Sequence, residues 1–407
     1  MSRNVVFVCP FPSEASMRFV RAAAGVANLR LLGVVHTMPT GEDAKVYDDV
    51  VRVENPTNKS EVVAAIEELA KRHGAPFRIL GVLEAMQVML AELRAHFGVE
   101  GTDVKTATLF REKAEMKDAL RAAGLPVARH RLCTDAREAE AFGAEVGYPI
   151  ILKPPAGMGA KATFRVADAA ELRRSLTGLQ VSGTNPVLAE EMLRGKEHSF
   201  ETMTIGGEPK VWSFSRYLPG CLEVLENPWI QWSVVLPREI DSPLHDRARE
   251  LGFAAIRALG LRDGMTHMEW FEREDGTFAI GEIAQRPPGP QLCQMTGLVN
   301  DIDIYRAWVR AVVDGELDAP WERKYAAGCA YVRGMGQGRV AAIRGVRETH
   351  EAVGRHLVEA KLPDLGQAKN DSYEGDGYVV VRHERTDEVL RMLKTIVETL
   401  RIHYVAG

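Results

Sequence analysis

Apolar runs and amphipathic stretches alternate along residues 1–107. The periodicity predicts strands and helices in turn, with strands at 4–9, 29–35 and 77–83 and with helices to about Ala27, at 60–73 and to about Phe97. Alternating strands and helices predict a parallel sheet that is covered on both faces. The first turn, Pro10 to Ser13, lacks the G-x-G-x-x-G pattern that lets a backbone approach a pyrophosphate. This part of the chain is therefore expected to be a scaffold or a substrate-binding half, and not an NAD site.

The pattern of apolar and polar positions changes near Thr108. Residues 108–124 predict one helix that ends at Gly124, because Pro126 prevents its continuation. Two capping-box starts follow, in which an acidic N-cap residue precedes a glutamate by three positions, at Asp135–Glu138 and at Asp168–Glu171. The strand–loop–strand pattern at 148–166 lies between them. Together these elements predict a small subdomain over about 130–190.

The loop from Pro154 to Lys161 in this subdomain contains small residues, among them Gly157 and Gly159. Such a loop can lie close over phosphates, and Lys153 at the end of the preceding strand can supply positive charge. The loop does not have the spacing of a Walker sequence. On this stretch alone, a purely structural glycine hairpin is the alternative.

Further elements are predicted along the second half of the chain. They are an apolar strand reaching Glu190-Glu191, a strand after Glu197, helices at 243–259 and 301–313, and a mixed α+β segment at 324–407 with a helix at 387–400. Pro243 suits the first position of its helix. The glycine cluster at 334–338 lacks a strand-to-helix context and predicts a plain turn.

The stretch 265–290 reads as a β-hairpin, because apolar residues flank Asp275-Gly276, a dipeptide favoured in two-residue turns. Pairing outward from that turn places Thr277 opposite Glu274, Ile280 opposite Phe271 and Glu282 opposite Glu269.

Two carboxylates about 5 Å apart on one face of a sheet repel each other unless a cation or a shared proton lies between them. The period of two places His267, Ala284 and Arg286 on the face of Glu269 and Glu282. The stretch therefore suggests a Mg²⁺ site with a guanidinium beside it. A solvated hairpin is the alternative reading, and a longer loop over 274–276 would shift the register and separate the two carboxylates.

Composition narrows the class of protein. The chain has 407 residues, which exceeds one compact core, so two or three domains are expected. A net charge of −5 gives no basic excess for nucleic acid, and no segment approaches the ~20 apolar residues that span a bilayer. The five cysteines lie far apart and are typical of reduced thiols in a cytoplasmic protein.

With these pieces in order, the chain resembles the ATP-grasp superfamily, in particular the carboxylate–amine ligases and the biotin-carboxylase-like members. The resemblance covers about 105–310 and rests on REKAEMKDALRAAGLPVARH at 111–130, AEEMLRGKEHS at 189–199 and the hairpin. It implies a three-domain architecture of α/β and α+β type, with a parallel-sheet N-terminal domain, a small lid subdomain and a C-terminal mixed-sheet domain. The expected boundaries are 1–107, 108–312 with the lid at about 130–190, and 313–407.

The resemblance also implies roles for individual residues. Lys113 and Lys153 would contact ATP phosphates, the loop with Gly157 and Gly159 would cover them, and Glu197 would bind the ribose hydroxyls. Adenine would lie beside Glu190, Glu191 and Leu193, and Glu269 and Glu282 would be the ligands of Mg²⁺. Arg286 would hold an acyl phosphate or a substrate carboxylate, and Arg216 falls near the place of a basic residue at the γ-phosphate. Ala284 stands where many members carry an asparagine ligand, which leaves the number of metal ions open.

The implied reaction activates a small carboxylic acid as an acyl phosphate and joins it to an amine, with release of ADP and phosphate. A biotin-carboxylase-like enzyme that forms carboxyphosphate and a non-catalytic ATP-binding module are the alternatives. The acid and the amine are not identified by the sequence. Trp229, Trp232, Glu223 and Glu226 are candidate pocket residues, and a homodimer is possible without any feature that supports it.

Overall fold

The structure is a computed structural model that describes residues 2–157, 162–289 and 291–405. The first domain contains β1 (Arg3–Val8), α1 (Glu14–Ala24), β2 (Leu29–Val35), β3 (Asp49–Arg52), α2 (Lys59–His73), β4 (Arg78–Leu80) and α3 (Gln87–Phe97). Its strands are parallel in the order β3-β2-β1-β4. Apolar residues of β1 and β2 are buried beneath the helices, because a parallel sheet is covered on both faces. The predicted strand–helix alternation is confirmed.

The predicted single helix at 108–124 is wrong. The structure has α4 (Val104–Leu109) and α5 (Lys113–Ala122) instead. Asp103 caps α4 through the backbone N–H of Thr106, and Glu112 has extended backbone angles (φ −89°, ψ 105°) that break the helical path. The break lets the N–H of Lys113 donate to the carbonyl of Pro155 in the lid.

A group of strands and helices between residues 130 and 191 includes both predicted capping boxes. It contains β5 (His130–Cys133), α6 (Ala136–Val146), β6 (Ile150–Lys153), β7 (Phe164–Val166), α7 (Ala169–Leu179) and β8 (Val187–Glu191). Asp135 accepts from the N–H of Glu138, whose carboxylate accepts from the N–H of Thr134. The strand order is β5-β8-β6-β7, over a hydrophobic core of its own.

A large antiparallel sheet forms the centre of the molecule, in the strand order β13-β12-β9-β10-β11-β14-β17-β16. The elements of the central segment are β9 (Gly195–Ile205), β10 (Glu208–Leu218), α8 (Cys221–Glu226), β11 (Ser233–Leu236), α9 (Pro243–Leu259), β12 (Gly264–Arg273), β13 (Phe278–Ala284), α10 (Leu292–Asn300) and α11 (Ile304–Asp314). The C-terminal segment contains β14 (Ala326–Val332), β15 (Arg339–Arg344), α12 (Val346–Val353), β16 (Leu357–Lys361), β17 (Gly377–His383), α13 (Thr386–Thr399) and β18 (Arg401–Val405). The central sheet therefore continues across residue 312, where a domain boundary is predicted.

Two further expectations concern the chain as a whole. The five cysteines are free and buried, as expected of reduced thiols. Among the helices that the structure describes, none is both long enough and apolar enough to cross a membrane.

Candidate active site

The hairpin of β12 and β13 places Glu269 directly opposite Glu282, as the sequence predicts. The turn itself differs from the prediction. Residues 274–276 form the loop, with hydrogen bonds from the N–H of Arg273 to the carbonyl of Thr277 and from the N–H of Gly276 to the carbonyl of Arg273. Phe271 consequently pairs with Ala279, and the predicted pairing of Phe271 with Ile280 is wrong.

A β-bulge restores the carboxylate pair. The register shifts between Glu269 and Trp270, so that Gly281 is the extra residue of β13. A Cβ at Gly281 would lie 3.1 Å from the ring of Phe271 and 3.3 Å from the carbonyl oxygen of Glu269, which leaves little room for a side chain. The carbonyl of Gly281 accepts a short hydrogen bond from Lys117.

Lys113 and Lys153 lie beside the paired carboxylates, each bound to a glutamate. Lys113 Nζ lies 2.5 Å from Glu282 Oε1 and 3.0 Å from the carbonyl oxygen of Gly157. Lys153 Nζ lies 2.8 Å from Glu190 Oε2. Burial disfavours the charged form of Glu282, but the charges of Lys113 and Lys153 outweigh it and lower the pKa of Glu282 to about 2. Both predicted phosphate lysines are thus close enough to affect Glu282, and Lys113 contacts it directly.

Glu190 forms two ion pairs with lysines, which its predicted place beside adenine does not anticipate. Its buried carboxylate lies between Lys153 and Lys117, 3.3 Å from Lys117 Nζ. Although burial opposes it, the charge of the two lysines lowers the pKa of Glu190. Glu191 instead pairs with Arg129 at 2.7 Å, and Leu193 lies half-buried in the link between β8 and β9.

Glu197 lies at the start of β9, where its Oε2 accepts a hydrogen bond of 3.0 Å from the N–H of Cys221. Gly220 makes this approach possible, because a Cβ there would lie 2.3 Å from the carboxylate oxygen. Burial raises the pKa of Glu197 to about 8, and the nearby charge of Glu269 adds to the rise.

A buried histidine supports Glu269. His267 Nδ1 lies 3.0 Å from Glu201 Oε1, and His267 Nε2 lies 3.6 Å from Glu269 Oε1. Burial favours the neutral ring, but hydrogen bonds with Glu201 and Glu269 raise the pKa of His267 to about 9. The ring is therefore an imidazolium at neutral pH, and it holds positive charge beside the predicted metal ligand.

Arg286 follows the end of β13 and is bound by a carboxylate of the first domain. Its Nε lies 2.6 Å from Glu84 Oε2, and Arg111 Nη1 lies 2.9 Å from the other oxygen of Glu84. Burial disfavours the charged guanidinium, but Glu84 outweighs this and raises the pKa of Arg286. Glu84 thus fixes the position of the predicted catalytic arginine.

Arg216 does not lie with the other predicted site residues, so its predicted place at the γ-phosphate is wrong. Ser215 pairs with Ser199, and Ser199 pairs with Glu269 on the next strand. Ser215 therefore lies on the face of the sheet that carries Glu269. Arg216 points to the other face by the alternation of a strand, where it pairs with His198. Gly159, the remaining predicted residue, lies outside the described residues.

Sequence reasoning missed Lys117, Glu84 and Arg111 as site residues. Lys117 is fully buried at position i+4 from Lys113 on the same helix face, and burial lowers its pKa to about 8. Glu84 follows the carboxyl end of β4, where open α/β sheets commonly bind ligands. The helical spacing was visible in the sequence, whereas the contact between Glu84 and Arg286 joins two distant segments.

The donor set fits a magnesium ion that is shared with phosphates. Glu269 and Glu282 supply hard oxygen ligands on one face, and Mg²⁺ commonly takes one or two carboxylates together with phosphate oxygens and water. Within the described residues, no cluster of three or more acidic, histidine or cysteine side chains could hold a metal ion without such help. These residues would therefore hold Mg²⁺ together with a nucleotide, and not as a separate protein cage.

Comparisons with known proteins agree with this architecture. Residues 112–204 match the family model described as "Carbamoyl-phosphate synthase L chain, ATP binding domain". An L-arginine-specific L-amino acid ligase of Bacillus subtilis is 28% identical over 254 residues, which are 61% of this chain and 60% of that protein. The match thus spans less than two thirds of the length of this curated relative.

Solved structures extend the likeness to the whole chain. The L-amino acid ligase of Bacillus licheniformis superposes with a TM-score of 0.79 at 16% identity, over 99% of both chains. The biotin carboxylase domain of the Hydrogenobacter thermophilus 2-oxoglutarate carboxylase, solved with MgADP, has a TM-score of 0.70 at 17% identity and covers 99% of this chain and 91% of that one. At identities of 16% and 17%, these matches show a shared fold. These findings agree with the resemblance to the ATP-grasp superfamily, and the expected fold class is confirmed.

Proposed function

We propose that the protein is an ATP- and Mg²⁺-dependent ligase that activates the carboxyl group of a small acid and joins it to an amine. The observation that carries the proposal is the pair of facing carboxylates, Glu269 and Glu282, with lysines on the same side of the sheet. Such a site neutralises a triphosphate and leaves its terminal phosphorus open to an incoming carboxylate.

Five of the predicted residues would have tasks that their positions support. Glu269 and Glu282 would hold Mg²⁺, which when bound withdraws charge from the phosphates. Lys113 and Lys153 would bind the triphosphate, since each already holds an anionic oxygen. Arg286 would hold the substrate carboxylate through its planar, two-pronged guanidinium.

The reaction proceeds in two displacements. A carboxylate oxygen of the acid attacks the γ-phosphorus, the bond between that phosphorus and the β–γ bridging oxygen breaks, and an acyl phosphate and ADP result. The amine nitrogen then attacks the carbonyl carbon, loses a proton and expels phosphate, which leaves an amide. The subdomain at 130–191 would exclude water that hydrolyses the acyl phosphate.

L-Amino acids are the substrates that we propose for both positions. The supporting observations are the similarity to an L-arginine-specific L-amino acid ligase and the superposition on a second L-amino acid ligase along nearly the full chain. The product would be a dipeptide.

The test is phosphate release from ATP and Mg²⁺ in the presence of pooled L-amino acids, with mass spectrometry of the products. Hydroxylamine in place of the amine should trap the acyl phosphate as a hydroxamate. We expect release that requires amino acids, together with a dipeptide mass. Release that requires bicarbonate instead would favour the carboxylase alternative. Tight ATP binding with no turnover on any substrate would favour the non-catalytic module.

A further inference from the structure

A cavity of about 430 Å³ lies between the first domain and the central sheet. The end of β4 and helix α3 form one wall, and the start of β12 and helix α11 form the other. Arg286 lines it at one side, so the cavity adjoins the candidate active site. Its volume lies in the range of small-molecule pockets.

Most charged side chains of the wall have an ion-pair partner. The pairs are Arg78–Glu100 at 3.1 Å, Arg262–Asp263 at 3.7 Å, Arg3–Asp314 at 2.6 Å and Arg286–Glu84 at 2.6 Å. Among the described residues that line the cavity, only Arg94 has a charge without an ion-pair partner. The wall therefore carries one uncompensated positive charge.

Arg94 is held by backbone carbonyls. Its Nε donates to the carbonyl of Ile79 at 3.1 Å, and its Nη1 donates to the carbonyl of Thr102 at 3.4 Å. A guanidinium has five N–H donors, so these two bonds leave donors for another acceptor. Burial lowers the pKa of Arg94 to about 10, which still leaves it charged at neutral pH. A buried charge without a counter-charge costs free energy, and an anion in the cavity would recover it.

A second polar group of the wall also lacks a partner. Gln285 is 8% exposed, and its Nε2 donates a hydrogen bond of 2.5 Å to the hydroxyl oxygen of Thr102. Its Oε1 is buried and has no hydrogen-bond partner. If the amide is turned over, the hydroxyl of Thr102 donates to Oε1, and the NH₂ group becomes the free end and can donate to an anion. Unsatisfied buried polar groups are uncommon and often mark a ligand or an ion.

We propose that this cavity binds a small organic monocarboxylate, which accepts hydrogen bonds from Arg94 and, with the Gln285 amide turned over, from Gln285 Nε2. The single uncompensated charge matches one carboxylate better than it matches a phosphate dianion. Gln285 is bonded in the chain to Arg286, so an occupant would act on the position of the catalytic arginine. The carboxylate belongs either to the far end of the acid substrate or to a separate effector.

The test is the thermal unfolding midpoint of the full chain at constant ionic strength, without ATP, against rising sodium acetate, L-alanine, inorganic phosphate or ethylammonium chloride. We expect both carboxylates to raise the midpoint in a saturable way, phosphate to act at least tenfold more weakly, and ethylammonium to have no effect. Arg94→Met should lose the rise, whereas the exposed control Arg174→Met should keep it. Arg286→Lys should also keep it, which separates this cavity from the proposed acid site.

If Arg94→Met fails to fold, Gln285→Met replaces it, with at least a tenfold weaker response to acetate expected. The absence of a saturable response of the wild type to both carboxylates would overturn the proposal, as would an unchanged response in Arg94→Met or Gln285→Met.

Steady-state kinetics then separates the two sources of the carboxylate. If acetate competes with the acid substrate, the cavity holds the far end of that substrate. If acetate changes kcat without competing, the cavity is an effector site. Binding is measured without turnover, so a failure of the proposed ligase reaction would leave the result of the unfolding test unaffected.

Discussion

The ion pair between Lys113 and Glu282 predicts that the metal ion and the nucleotide bind together. Lys113 Nζ lies 2.5 Å from Glu282 Oε1, in a contact that is largely shielded from water. A divalent ion that uses this oxygen must displace the lysine. Triphosphate oxygens offer the lysine an alternative partner, so the nucleotide should free Glu282 for the metal.

The pKa of Glu282 gives the magnitude. It lies at about 2 against an ordinary value of 4.5, after the opposing effect of burial. Since a tenfold change corresponds to about 1.4 kcal/mol, the surroundings of Glu282 favour the charged carboxylate by about 3 kcal/mol, net of burial. Lys113 makes the contact with Glu282, and Lys153 and Lys117 also contribute. Because Lys113 makes the direct contact, its loss should raise the affinity of a divalent cation by about tenfold, which is less than half of that preference.

Lys113→Met should therefore have two opposite effects. It should bind Mn²⁺ alone about tenfold more tightly than the wild type, and it should bind ATP more weakly. Electron paramagnetic resonance of free Mn²⁺ measures the first effect directly, and calorimetry with ATP measures the second. Lys196→Met is the matched control, because Lys196 is exposed and pairs with Glu272 at 3.6 Å on the same sheet.

Two results would refute this reasoning. One is tight binding of Mn²⁺ to the wild type without nucleotide, which would mean that the lysine does not compete. The other is an unchanged affinity for Mn²⁺ in a folded Lys113→Met variant that has lost ATP binding, which would place the metal away from Glu282.

Three further predictions concern single side chains of the site. Glu282→Gln should lower Mg-ATP turnover at least about a hundredfold with the fold intact by circular dichroism, while the exposed hairpin variant Glu274→Gln should retain activity. Arg286→Lys should lower kcat by about tenfold or more and change ATP binding little, because a lysine lacks the two-pronged geometry; an unchanged kcat would contradict that role. Glu197 has a folded-state pKa of about 8, above its ordinary value of 4.5, so its contribution to stability is present below pH 4.5 and is lost as the pH rises through 8. The unfolding midpoint of the unliganded wild type should thus fall between pH 6 and 9 more than that of Glu197→Gln, and equal slopes would exclude a raised pKa.

Capping motifs, helix signals and apolar runs predict the structure correctly where one segment determines its own fold. The capping boxes at Asp135 and Asp168 form as predicted, because side chain and backbone lie within one turn. The helix that starts at Pro243 and ends at Leu259 has the predicted bounds for the same reason. The strands of the first domain follow from continuous apolar runs that only a covered sheet can bury.

Local rules failed where contacts with distant segments decide. The break at Glu112 between α4 and α5 leaves an amide that bonds to Pro155 in the lid, and no periodicity within 108–124 indicates that contact. The face of Arg216 depends on the register of β10 against β9, which a single strand does not specify. Glu84 meets Arg286 across 202 positions of sequence, so only the fold reveals that pair.

The hairpin shows how a correct site can follow from an incorrect turn. A regular ladder closed by the loop 274–276 would place Glu269 opposite Gly281 and would turn Glu282 to the other face of the sheet. The bulge at Gly281 absorbs one residue and returns Glu282 to the face of Glu269. The carbonyl of that extra residue accepts from Lys117, on the same helix that presents Lys113 to Glu282. The bulge therefore aligns the two carboxylates and also anchors the helix with Lys113 and Lys117 against them. The irregular hairpin thus brings together the residues that are proposed to bind the metal ion and the phosphates.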